Sequence, residues 1–184
     1  MHKIVLDDEK IALAHTIFNM IWKLAELIRN EFLKRMPVSE IVPERGLWIT
    51  IRGLYYKAEY PLPVFFLYAN KIKIGVELNG VFAVMLLDKK SITKEFIEKL
   101  LTMDLDFVAY GAENFVETLF NRNMNADQIM NVINDCNELM IQLEIKRDLK
   151  NWKQIINDVL TLLKITQEHD VKLYPIVFPE FFRE

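Results

Sequence analysis

The side chains suited to nucleophilic, acid-base or metal chemistry are few in this sequence and widely spaced. Only two serines occur, Ser39 and Ser91, and neither lies in a Gly-x-Ser-x-Gly turn that would expose a hydroxyl beside a base. Ser91 precedes an amphipathic stretch and reads as a helix cap. The three histidines, His2, His15 and His169, are scattered, so no pair has the helical spacing that offers two imidazoles to one metal ion. Glu168-His169-Asp170 is the one local cluster, and at a helix C-terminus a cationic imidazole complements the dipole without any metal. Cys136, the single cysteine, falls on the apolar stripe of a helical pattern and reads as a small buried hydrophobe. The carboxylate pairs Asp7 with Asp8 and Asp104 with Asp106 would need a pocket to raise one pKa before sharing acid-base work, and their places at helix boundaries suit caps. With five glycines and no phosphate-binding loop, the backbone cradles used for nucleotides are missing. No catalytic residue, cofactor or metal is therefore expected.

Composition narrows the field further. A net charge of −3 gives no bulk attraction for nucleic acid or acidic lipid. One cysteine cannot form an internal disulfide, which suits a reducing, cytoplasmic location. Asp7, Asp8 and Glu9 stand where a secretory signal would need a basic start and an apolar run. The stretch from Val81 to Leu87 is among the longest apolar runs, far short of the roughly 20 residues of a membrane-spanning helix. The 184 residues have ordinary globular usage and no linker or repeat, so residues 1–184 are expected to form a single α+β domain.

The elements that must position these residues follow from periodicity. Ile11, Ala14, Phe18, Ile21, Ala25, Ile28 and Phe32 recur at spacings of three and four, predicting a helix from Asp8 to Met36, stopped by Pro37. Leu13, Ile17, Met20, Leu24 and Leu27 widen its apolar arc to about half the circumference, so the helix is expected to be covered on two sides. After two prolines the period becomes two. Strands are predicted at Leu47–Ile51, Tyr55–Tyr60, Val64–Ala69, Lys71–Leu78 and Val81–Leu87, with Asn79-Gly80 as a hairpin turn. Lys71, Lys73 and Glu77 share one parity, marking a wet face, while Val81–Leu87 is apolar on both parities and belongs at the sheet's centre. Helices follow at Ser91–Met103 and Ala112–Phe120, with a short strand at Asp106–Tyr110 between them. Asn125 with Gln128 forms a capping box that opens a helix to about Lys146, and a last helix holds Trp152 to Leu163. The short link from Lys146 to Asn151 makes these two an antiparallel pair. The aromatic tail from Val171 to Glu184 is expected to dock on the body or on a partner.

Two surfaces stand out. On the polar stripe of the first helix, with His15, Asn19, Glu26 and Arg29, lies Trp22, an indole out of place in water and a candidate anchor for a partner or a second copy. The second is the sheet. From Arg45 to Lys73 five basic residues, Arg45, Arg52, Lys57, Lys71 and Lys73, face one acid, so the stretch carries +4 and leaves −7 elsewhere. Trp48, Tyr55, Tyr56, Tyr60 and Tyr68 interleave with them, the mixture that single-stranded nucleic-acid binders use, although the same aromatics are common in strands.

The order of a long helix, an antiparallel meander and further helices over about residues 8 to 120 resembles the scaffold of type III secretion chaperones, which implies faces that hold another chain. The Ile, Lys and Glu usage, with few Ser and Gly, is similar to that of an uncharacterised archaeal protein family of unknown function. The expectation is a non-catalytic protein-binding or assembly module, a homodimer included. A small enzyme with a pocket between sheet and C-terminal helices, or a single-stranded nucleic-acid binder on the sheet face, are the alternatives.

Overall fold

A computed structural model describes residues 8–43, 64–69, 71–113 and 117–176. Helix α1 spans Asp8–Leu33. Strands β1 (Val42–Pro43), β2 (Phe65–Ala69), β3 (Ile72–Glu77) and β4 (Gly80–Asp88) follow, then helix α2 (Lys94–Thr102). Next come β5 (Asp106–Gly111), β6 (Thr118–Asn121), helix α3 (Ala126–Asp135), β7 (Met140–Arg147), helix α4 (Gln154–Glu168) and β8 (Leu173–Tyr174). The class is α+β as expected: an N-terminal helix, an antiparallel sheet, and helices towards the C-terminus.

The strands among the described residues form one sheet in the order β1-β2-β3-β4-β7-β5-β6, every pairing antiparallel. β3 and β4 form the expected hairpin, but Leu78 and Asn79 are its loop residues and Gly80, at φ +152°, opens β4. A Cβ on Gly80 would come within 2.3 Å of the Arg147 carbonyl oxygen, so only glycine fits this position. β4 is central, flanked by β3 and β7. β8 also pairs with β4, at Leu86 and Leu87; since β7 fills the opposite edge, β8 continues the line where β3 ends at Ile72, opposite Met85.

Several expected elements change type. The helix expected to reach Lys146 stops at Asp135, and Met140–Arg147 is instead strand β7. Ile141, Leu143 and Ile145 point to the core while Gln142, Glu144 and Lys146 do not, so the period there is two. The link before α4 therefore joins a strand to a helix, and β7 separates α3 from α4 in sequence. Thr118–Asn121 is strand β6 rather than the end of a helix. Cys136 is the half-buried C-cap of α3, not a mid-helix core residue. Thr93, not Ser91, caps α2, its Oγ1 accepting from Phe96 N at 3.2 Å. Ser91 donates instead to the Asp88 carbonyl and accepts from Lys172 N. The Leu47–Ile51 and Tyr55–Tyr60 strands lie outside the described residues.

The core lies on one face of the sheet, where α1 packs over β2 and β3 and α4 over β4 and β7. Phe32, Phe65, Phe96 and Phe120 are enclosed there with Ile28, Leu67, Ile74 and Leu87. Asp158 of α4 is the charged residue among the described buried ones, and Arg147 meets it with two hydrogen bonds, Nε to Oδ2 at 2.6 Å and a terminal nitrogen to Oδ1 at 3.2 Å. The same guanidinium donates to the Asp104 carbonyl, tying the end of β7 to α4 and to the turn before β5.

Candidate partner-binding surfaces

The sequence-predicted residues on α1 come together in part. Ile21, Ala25, Ile28 and Phe32 turn to the core, and Trp22, one residue round the helix, lands at the border between core and solvent. Its ring stacks near Phe18, with centroids 6.4 Å apart, and meets Phe65 of β2 edge-on at 5.3 Å. The indole is thus half-buried on this chain's own aromatics, which accounts for one of its faces.

Beside it α1 and the segment after it form a groove of about 550 Å³, lined by Trp22, Lys23, Glu26, Leu27, Arg29 and Ile41 among others. Its far wall is held by Arg29, whose Nε donates to the Ser39 carbonyl at 2.8 Å while a terminal nitrogen pairs with Glu40 at 2.6 Å. Ser39 in turn bonds the backbone N–H of Tyr68 at 2.9 Å, fastening this wall to β2. Arg29 is therefore a positioning residue, whereas Lys23 and Glu26 are exposed and form no ion pair with a described residue. His15 is exposed on α1 and is not part of the groove's lining. Leu27 and Ile41 were not among the sequence candidates. Leu27 sat in the apolar arc expected to be covered, and only the fold shows it open.

Of the sheet surface, Trp48, Arg52, Tyr55 and Lys57, with Arg45, Tyr56 and Tyr60, lie outside the described residues. Of its described members, Lys71 is exposed in the turn before β3, and Tyr68 and Lys73 sit on the face away from the helices. Phe66, opposite Gly75, and Tyr68, opposite Lys73, share that face with Phe82, opposite both Gly75 and Lys146. Phe82 lies over Gly75 so closely that a Cβ there would meet its ring at 2.1 Å. Phe66 packs edge-on to Phe82, with centroids at 6.1 Å, and Lys73 Nζ sits 4.8 Å from the Phe66 ring. Glu77 and Lys146 pair at 2.9 Å across β3 and β7. Next to them burial pushes the Glu144 carboxyl above its ordinary range; Lys146 and Lys73 pull it down, Glu77 pushes it up, and burial outweighs the lysines. Glu144 was missed because its strand β7 was read as helix, and Phe82 of β4 because Gly75 alone hints that an aromatic lies above it.

His169 caps the C-terminus of α4 with its ring edge-on to Phe96 at 6.4 Å. Among the described residues no three His, Cys, Asp or Glu side chains come together as a metal site would require, and no helix is long and apolar enough to cross a membrane. No curated protein matches the chain. A solved structure, "Conserved hypothetical protein Pfu-178653-001 from Pyrococcus furiosus", is 24% identical with a TM-score of 0.65, covering 87% of this chain and 98% of its own. It shares the fold. The likeness to secretion chaperones finds no such support, and the element order it rested on ends before β7, the interior strand between β4 and β5. A family model described as "Protein of unknown function (DUF3201)" matches residues 12–160.

Proposed function

The chain belongs to the DUF3201 family, and we propose that it is a non-catalytic binding module that seats a segment of a partner protein in the groove on α1. The observation that carries this is the groove's build: Leu27, Ile41 and one edge of Trp22 offer apolar contact, and Lys23 and Glu26, which form no ion pair with a described residue, flank it with both signs of charge. An aromatic anchor in a concave, partly apolar site with a charged rim is the usual arrangement of a protein interface hot spot. The wall is rigid because Arg29 locks residues 39 and 40 to the helix, so little ordering entropy is lost on binding. Glu26→Arg reverses a rim charge on an exposed site and leaves the core alone. Photo-crosslinking from position 23 in cells of the source organism should give a defined adduct with the wild-type chain and lose it with Glu26→Arg. An identical adduct pattern in both would overturn the reading.

A further inference from the structure

α1 carries a second apolar stripe that the described elements leave exposed. Leu13, Met20 and Leu27 stand seven residues apart and are 59%, 62% and 54% exposed. Ile17 and Leu24, half-buried, lie between them, so the spacing runs four, three, four, three. Ile17 and Leu24 also pack against the core, so the stripe borders the core face of Ile21, Ala25, Ile28 and Phe32, and Leu13, Met20 and Leu27 form its exposed edge. A repeat of 3.5 residues matches another helix carrying the same repeat, because only then do knobs keep meeting holes along the contact. We infer that the occupant is a second copy of this chain, its α1 packed antiparallel on the first about a two-fold axis near Met20.

The charges choose that orientation. α1 opens with Asp8 and Glu9 ahead of Lys10, and after its last residue come Lys34, which pairs with Glu31 at 2.5 Å, and Arg35, so the first end is acidic by one charge and the second remains basic through Arg35. Antiparallel packing sets the acidic end of each helix against the basic end of the other, whereas parallel packing opposes like charges. The length sets the strength. At 1.5 Å per residue the 26-residue helix is roughly 39 Å long and about 10 Å wide, so two such faces bury on the order of 800 Å². That is below the roughly 1,200 Å² of a permanent complex, so the dimer is reversible and forms with rising concentration. Leu27 belongs to both surfaces, but Leu13, Ile17 and Met20 are not part of the groove's lining, so this inference goes beyond the groove.

Sedimentation equilibrium on the full chain tests it. The mass should rise with concentration from 21.8 kDa towards twice that value. Met20→Glu and Met20→Lys, both at an exposed site, should each stay monomeric, and an equimolar mixture of the two should recover the dimer. In a Cys136→Ser background, chains carrying Leu13→Cys mixed with chains carrying Leu27→Cys should oxidise mainly to the mixed product. A mass that stays at the monomer value at every concentration, unaltered dimerisation in Met20→Glu, or crosslinks chiefly between two Leu13→Cys chains would overturn the proposal. Because Glu26→Arg leaves the stripe intact, loss of the groove adduct and loss of the dimer are read independently.

Discussion

At the residue scale, the most consequential pair is Arg147 with Asp158. The carboxylate is nearly enclosed and the guanidinium largely so, and the hydrogen bond between them raises the arginine pKa further above its ordinary value. Removing one member leaves the other desolvated without a partner, which in a fully enclosed pair costs roughly 3–5 kcal/mol. Arg147 keeps some contact with water and a second acceptor on Asp104, so Asp158→Ala is expected to cost about 2 kcal/mol in urea unfolding, well above the effect of a surface substitution. Glu144 behaves in the opposite sense. Its raised pKa means that, between the ordinary carboxylate value and the raised one, the folded state holds more protons than the unfolded state, and stability falls as pH rises through that window. Glu144→Gln should therefore be more stable than wild type at neutral pH and should lose that slope, which urea midpoints measured from pH 4 to 8 would show. None of this could be read from the sequence. The alternation of β7 hides which of its polar residues is desolvated, and Asp158 looked like any helical carboxylate.

At the scale of elements, local signals succeeded where they were local. Asn125 and Gln128 make both hydrogen bonds of the capping box, at 2.9 and 3.0 Å, as the spacing implied. α1 ends at Leu33, a few residues before Pro37. The failure at β7 has a definite cause: Ile133, Cys136, Met140 and Leu143 continue a spacing of three and four across Asn137 and Glu138, so a helical pattern runs by coincidence into a strand whose own period is two. What stops α3 is partly tertiary, because Lys89 Nζ donates to the Cys136 and Asn134 carbonyls at its C-terminal end. As a central strand, β7 should be intolerant of cavities. Leu143→Ala is expected to cost about 3 kcal/mol in equilibrium unfolding, and Gly80→Ala, forced against the Arg147 carbonyl at the rim of the same strand, about 2 kcal/mol or more.

At the scale of the whole molecule, the sheet has one face filled by helices and another, with Phe66, Phe82, Lys73 and Glu144, on which no described helix packs. α1 likewise divides into a core face, a groove with Trp22, and an open stripe. On the two readings proposed above, one helix would offer two adjoining contacts that share Leu27. If both are used, the Met20→Glu chain, monomeric, should still yield the groove adduct, a result that crosslinking and sedimentation on one variant would establish.

The class, the leading helix, the β3–β4 hairpin and the Asn125–Gln128 capping box were legible in the sequence alone, because their signals lie in residues close together along the chain. The central place of β7, the enclosure of Asp158, the openness of Leu13, Met20 and Leu27, and the neighbours of Trp22 were decided only by tertiary structure. An apolar side chain at helical spacing states that it prefers burial, but which faces find cover depends on how many elements the chain can bring to them. Here the described helices and strands cover one side of α1 and leave Leu13, Met20 and Leu27 exposed.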